Sequence, residues 1–224
     1  MKRVLSRAVE ALRGLLFPRS CVFCGKPEPG GVCGECKLSL PWYGEPTTLT
    51  VDGAALPVTA PLRYEGLARG ALLRFKFHGR VRAARPFASL MAACVRNLLP
   101  EFDAIACVPL SLTRRLRRGY NQTRLLADAL SRELDGAPVI SPLRKRVRVA
   151  NSSLGAEQRE QNTQGAFRLK RSASLAGLRV LLVDDVLTTG ATIRECVRVL
   201  RGGGADVVGA VTLCAVARNQ KAED

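Results

Sequence analysis

The chain has 224 residues, 47% of them hydrophobic and 24% charged, enough for one sizeable core with a small appendage and too apolar for a disordered chain. The net charge is +16, which points either to a polyanionic partner such as nucleic acid or to a source genome that favours Ala, Arg, Leu and Gly. No apolar run reaches the ~18 residues of a membrane span, so no transmembrane segment is expected.

Residues 1–17 carry Lys2 and Arg3 ahead of apolar residues, but Arg7, Glu10 and Arg13 interrupt the run a signal peptide requires. A cytoplasmic location follows as the expectation. Val4, Leu5, Ala8, Val9, Leu12, Leu15 and Leu16 fall on one face of a helix that ends before Pro18. Such a helix either packs on the protein or lies on a membrane surface.

Cys21, Cys24, Cys33 and Cys36 form a C-x₂-C-x₈-C-x₂-C pattern. Each pair makes a tight turn that aims two thiolates at one ion. Four sulfurs close a tetrahedral zinc site with no open position for a catalytic water, so the metal is structural. Iron–sulfur ligation is the alternative, and a disulfide reading is weak without an export signal. Metal binding would stabilise a segment too short to fold on apolar burial. Cys94, Cys107, Cys196 and Cys214 stand alone in apolar surroundings and read as small core residues.

Pro41 to about Pro61 is rich in Pro, Gly and Thr and reads as a linker with one or two short strands. The division is thus an amino-terminal helix and Cys₄ segment over 1–45 and a larger domain over 46–224. A strand is expected from Ala60 to Tyr64 and a helix from Leu67 to Phe77, with Lys76 just before the break at Gly79. His78, the one histidine, reads as a surface or capping residue, with a general base as the sharper alternative. A helix over 85–99 and a strand ending at Val108-Pro109-Leu110 follow. Residues 111–150 then hold ten Arg or Lys against three Asp or Glu, and Arg114, Arg115, Arg117 and Arg118 cluster at the start. These arginines suit a diphosphate, or they form a solvated helix face. Helix 123–134 and strand 137–140 complete a βαβ unit. Residues 143–167 are irregular, with a short helix over 154–162. They read as a lid, with Arg159 and Asn162 reaching inward.

The richest stretch is 180–192. Val180 to Val183 is an apolar run expected as a strand buried on both faces, and Asp184 and Asp185 stand at its carboxyl end. Leu187-Thr188-Thr189-Gly190-Ala191-Thr192 makes a small-residue turn. Ile193, Cys196, Val197 and Leu200 then recur at helical spacing up to Gly202-Gly203-Gly204. A helix N-terminus with a close-approach glycine and hydroxyl donors suits a phosphate. The two carboxylates repel a phosphate, so they need sugar hydroxyls or a hydrated Mg²⁺. A ribose 5-phosphate satisfies both halves.

This stretch resembles the phosphoribosyl pyrophosphate (PRPP) motif of type I phosphoribosyltransferases. The resemblance implies that Asp184 and Asp185 hold the ribose hydroxyls and act as the catalytic pair, while Thr188, Thr189, Gly190, Ala191 and Thr192 cradle the 5-phosphate. It implies that Pro109, Leu110, Arg118 and Lys76 hold the diphosphate and its Mg²⁺. The cysteine knuckle, Lys76-Phe77, Val108-Pro109-Leu110, Arg118-Gly119-Tyr120-Asn121-Gln122, the stretch from Arg159 to Phe167 and Asp184 to Gly190 occur in one order. That order is similar to the ComF/GntX family over about Cys21 to Cys214, although residues 150–154 depart from the glutamine-containing stretch of relatives. The family implies a zinc-ribbon-like segment joined to an α/β domain with an open, mainly parallel sheet of phosphoribosyltransferase type. It also implies a link to DNA uptake in competent bacteria. Two functions are therefore expected to compete: phosphoribosyl transfer from Mg²⁺-PRPP to an unread acceptor, or a non-catalytic PRPP- or nucleotide-sensing module that binds single-stranded DNA beside the uptake machinery.

Overall fold

A computed structural model describes residues 20–43, 46–146, 163–171 and 174–216. The expected amino-terminal helix and the inward-reaching Arg159 and Asn162 lie outside the described residues. Seven strands form one sheet in the order β1 (Thr47–Val51), β2 (Ala54–Thr59), β9 (Asp206–Ala215), β8 (Arg179–Leu187), β4 (Ala104–Cys107), β5 (Val139–Ile140), with β3 (Leu62–Arg63) continuing beside β9 beyond β2. Only the β1–β2 pair is antiparallel within this sheet. β6 (Leu143–Lys145) and β7 (Phe167–Leu169) form a separate two-stranded antiparallel ribbon.

The central strands read as continuous apolar runs because both faces are covered. Val180, Leu181, Leu182 and Val183 are all fully buried. Alternation divides them between two cores. Leu181 and Val183, with Ile105, Cys107, Val211 and Leu213, face helices α2 (Gly66–Phe77), α3 (Ala84–Leu98) and α5 (Gln122–Glu133). Val180 and Leu182, with Ala106 and Ala210, face α6 (Ala191–Arg201) and the β1–β2 hairpin. Helices therefore cover both faces, as expected.

The order of connections fixes where a ligand can enter. β4 leads through α4 (Leu112–Arg118) and α5 outward to β5, whereas β8 leads through α6 in the opposite direction to β9. β4 and β8 are neighbours, so the sheet reverses its winding between them. A crevice opens at the carboxyl ends of two strands related in this way.

Three sequence expectations change. The stretch read as a linker with one or two short strands does hold two, but they form a hairpin that closes the sheet edge and buries Leu49, Val51, Leu56 and Val58. β8 runs on to Leu187, so Asp184 and Asp185 lie within the strand rather than after it. β9, the longest strand, was not anticipated; it pairs with β8 along nearly its whole length.

The cysteine segment packs into the first core rather than standing apart. Cys21, Phe23, Val32, Cys33 and Cys36 belong to the same apolar cluster as α2 and α3. Phe23 and Phe87 have ring centroids 5.9 Å apart, and the Arg74 guanidinium donates to the carbonyls of Val22 and Phe23 at 3.1 and 2.7 Å. Gly31 has φ +79°, and a Cβ there would lie 2.4 Å from Pro86 Cγ, so only glycine lets this turn approach α3.

Candidate functional site

Strand alternation sends the two adjacent carboxylates in different directions. Asp185 follows Leu181 and Val183 toward α2 and α5. Its Oδ1 accepts from Lys76 Nζ at 2.8 Å, and its Oδ2 accepts from Gln122 Nε2 at 2.8 Å. Lys76 arrives from the last turn of α2, and Gln122 opens α5, capped by Asn121. Asp185 is only 8% exposed.

Asp184 is half-buried on the other side. Its Oδ1 accepts from the Asp185 N–H at 2.8 Å. Burial first, then the Asp185 charge, pushes its carboxyl up to about 7, against the pull of Lys76 and Lys145. Lys145 sits at the base of the β6–β7 ribbon with its ammonium 5.1 Å from the Phe167 ring centroid. Burial lowers its own pKa.

Beyond β8 the chain turns through exposed Thr188 and Thr189 into buried Gly190, which starts α6 in the left-handed region with φ +82°. A Cβ on Gly190 would lie 2.8 and 2.9 Å from the Leu49 methyls, so β1 holds this turn from behind. α6 has no side-chain cap at Gly190; the Ala191 N–H donates to Thr189 Oγ1 at 3.3 Å. Thr192 is half-buried in the first turn. The turn therefore presents backbone N–H groups and threonine hydroxyls at the positive end of an 11-residue helix.

Opposite it, the β4 chain end passes through half-buried Pro109 and Leu110 to Ser111, whose side chain accepts from the Arg114 N–H and caps α4. Thr123 Oγ1 donates to the Val108 carbonyl at 2.6 Å and ties this end to α5. Lys76, Phe77, Gly79, Arg117, Arg118 and Tyr120 line a cleft of ≈160 Å³. The Arg118 guanidinium stacks 4.7 Å from the Phe77 ring centroid, and burial lowers its pKa. The Tyr120 hydroxyl donates to the Phe75 carbonyl and fixes the back wall. Arg118 Nε and Gln122 Oε1 are buried with no hydrogen-bond partner among the described residues. His78 is exposed at the end of α2 and does not line this cleft.

Of the expected site residues, Lys76 and Asp185 touch, Lys76 and Arg118 line one cleft, and the Thr188–Thr192 turn follows Asp185 along the chain. Gln122 was missed as a site residue. Its place in Arg118-Gly119-Tyr120-Asn121-Gln122, opening a helix after an arginine cluster, was the available signal.

The cysteine knuckle is the second candidate site. The Sγ atoms of Cys21, Cys24, Cys33 and Cys36 all lie within 4.8 Å of one another, and those of Cys24 and Cys33 are 3.6 Å apart. A tetrahedron with Zn–S near 2.3 Å has sulfur–sulfur edges of about 3.8 Å, so the four residues fit the metal. Burial raises the Cys21 pKa, but N–H groups of Cys24, Cys33 and Phe23 more than offset it and lower it to about 6, whereas burial and the neighbouring thiols raise that of Cys36. Cys107, Cys196 and Cys214 are buried and Cys94 half-buried, as expected of core residues; burial holds the Cys214 thiol up at about 12. No helix among the described residues is long and apolar enough to cross a membrane.

Comparison with known proteins matches two parts of the chain. A phosphoribosyl transferase domain model matches residues 121–224, and a double zinc ribbon domain model matches residues 12–48. "Competence protein F" of Haemophilus influenzae is 41% identical over 145 residues, 60% of this chain and 62% of that protein, so the match spans less than two thirds of the relative. "DNA utilization protein YhgH" of Salmonella typhimurium is 40% identical over 211 residues, 87% of this chain and 83% of that one. Among solved structures, the glutamine PRPP amidotransferase of B. subtilis is similar at 21% identity with a TM-score of 0.42, covering 62% of this chain and 30% of that one.

Proposed function

Since the chain belongs to the ComF/GntX family, a phosphoribosyl transferase domain joined to a zinc ribbon, we propose that it binds Mg²⁺-PRPP in the β4–β8 crevice and transfers the phosphoribosyl group. The observation that supports this reading is the order of groups on β8 and beyond it: two adjacent carboxylates, a glycine–threonine turn at the start of α6, and a cationic cleft whose Lys76 bonds Asp185. A ligand with a 5-phosphate, a diol and a diphosphate meets each in turn. The Thr188–Thr192 turn would hold the 5-phosphate through N–H groups and hydroxyls. Asp184 and Asp185 would accept from the ribose hydroxyls and orient the ring. Pro109, Leu110, Lys76 and Arg118 would hold the diphosphate with Mg²⁺, which supplies charge neutralisation of the leaving group. In the reaction the bond from ribose C1 to the diphosphate oxygen breaks. Its electron pair leaves on the diphosphate, and an acceptor atom bonds to C1. Cations held in place around the leaving oxygens lower the barrier because they need no reorganisation.

The relatives' names, a competence protein and a DNA utilization protein, support a task in DNA uptake or use, and the family's zinc segment would be structural. A cytoplasmic site of action suits that task. A second reading, a PRPP- or nucleotide-sensing module that binds single-stranded DNA, is favoured by α4. That helix carries Arg114, Arg115, Arg117 and Arg118 and buries none of its residues. The deciding experiment measures diphosphate release from Mg²⁺-PRPP across a panel of bases, amines and DNA ends. Release lost in Asp185→Asn supports transfer. PRPP binding without release, together with DNA binding that weakens steeply with salt, supports the sensing module.

A further inference from the structure

The Lys76–Asp185 ion pair joins two groups that the proposed function assigns to opposite ends of one ligand, and the inference below rests on that assignment. Both oxygens of Asp185 are engaged, Oδ1 by Lys76 and Oδ2 by Gln122, each at 2.8 Å. The Lys76 and Asp185 side chains are only 15% and 11% exposed, so solvent screens their attraction weakly. The Asp185 side chain is 11% exposed with Lys76 and Gln122 standing over its oxygens, so a ribose hydroxyl gains access to it only when one of these two donors moves. Gln122 is 4% exposed in the first turn of α5 and has nowhere to withdraw. Lys76 has a flexible four-carbon stem and lines the ≈160 Å³ cleft with Phe77, Arg117, Arg118 and Tyr120.

The charges around Lys76 say when it moves. The cleft is lined by three cations and no acid. With no anion there, Arg117 and Arg118 repel the Lys76 ammonium and Asp185 attracts it. A diphosphate in the cleft reverses that balance. We propose that Lys76 is a ligand-operated switch: it covers Asp185 until a diphosphate enters the cleft, then turns to the diphosphate and releases Asp185 Oδ1 to a ribose hydroxyl. The crevice thereby selects ligands that carry diphosphate and ribose together. Ribose 5-phosphate alone, which resembles the spent end of PRPP, meets a carboxylate already taken.

The test is titration of the full-length protein with ribose 5-phosphate in Mg²⁺ buffer, with and without saturating inorganic diphosphate. Mg²⁺ offsets the repulsion of two anions in adjoining subsites, so the switch is read from the dependence of the coupling on Lys76. It gives a gain of roughly tenfold in affinity, within the usual span of coupling between sites. In Lys76→Met the gain disappears, and ribose 5-phosphate alone binds more tightly than to the unaltered protein. Lys76→Arg, which keeps the charge and guards against a folding defect, restores the gain. Equal or weaker ribose 5-phosphate binding in the presence of diphosphate, or a gain that persists in Lys76→Met, overturns the switch and leaves the PRPP reading standing. Failure of the unaltered protein to bind ribose 5-phosphate and PRPP at all overturns both.

Discussion

Lys76 Nζ and Asp185 Oδ1 meet at 2.8 Å although 109 residues separate them in the chain. The contact joins the end of α2, on one face of the sheet, to the carboxyl-terminal part of β8. It explains how a carboxylate 8% exposed stays compatible with the core beside it. Gln122 completes the arrangement from α5. Removing its amide in Gln122→Leu leaves Asp185 Oδ2 without a donor. PRPP affinity is expected to fall about tenfold, the cost of one hydrogen bond to a charged group, while the folded state persists. Calorimetric titration of the variant, with circular dichroism as the folding control, checks this.

Asp184 makes stability depend on pH. Burial and the Asp185 charge raise its carboxyl from the ordinary value of 3.8 to about 7. The native state therefore keeps a proton that the unfolded chain has already released across that window. Stability contributed by this group is present below its unfolded pKa and is lost as pH rises through the folded value. Asp184→Asn removes the loss. Its melting temperature should exceed that of the unaltered protein by several degrees near pH 8 and match it near pH 4, as read by scanning calorimetry.

Gly190 is the position where one methyl group should matter most. It combines φ +82° with Leu49 methyls 2.8 and 2.9 Å from any added Cβ. Gly190→Ala must strain the backbone and push β1 away from the turn. A loss of about 1–3 kcal/mol in stability and at least roughly tenfold in PRPP affinity is expected. Gly53→Ala is a control with the same backbone sign, since nothing lies within 4 Å of its Cβ position. It should lose stability but not affinity.

Removal of the metal should be felt by the whole fold. Cys21, Cys33 and Cys36 share a core cluster with α2 and α3, and α2 carries Lys76. Chelation, or Cys33→Ser, is expected to lower the melting temperature by roughly 10 °C in a single transition and to weaken PRPP binding with it. A separate early transition that leaves PRPP binding untouched would show that the two parts are not coupled.

The parts of the fold that were legible in sequence are those governed by local pattern. Val180–Val183 announced a strand covered on both faces, and Thr188-Thr189-Gly190 before a helical repeat announced the turn that starts α6. The β1–β2 hairpin was readable too, but its Pro, Gly and Thr content suggested a linker. The decisive signal was Asp52-Gly53 between alternating residues, and both adopt positive φ, +49° and +80°, as a tight hairpin requires. β9 went unread because Gly209 and Thr212 interrupt the apolar run after the glycine triplet, whereas Val180–Val183 is unbroken. The burial of Asp185 could not be read locally at all. It depends on Lys76 and Gln122 arriving from elsewhere in the chain, and adjacent acids in sequence give no sign that alternation parts them.

The most direct test of the central claim is calorimetric titration of PRPP into the full-length protein with and without Mg²⁺, repeated with Asp185→Asn. Saturable binding in Mg²⁺, at least roughly tenfold weaker without the metal and lost in the variant, is the expected result. Absence of binding, or binding indifferent to both Mg²⁺ and Asp185, would contradict it.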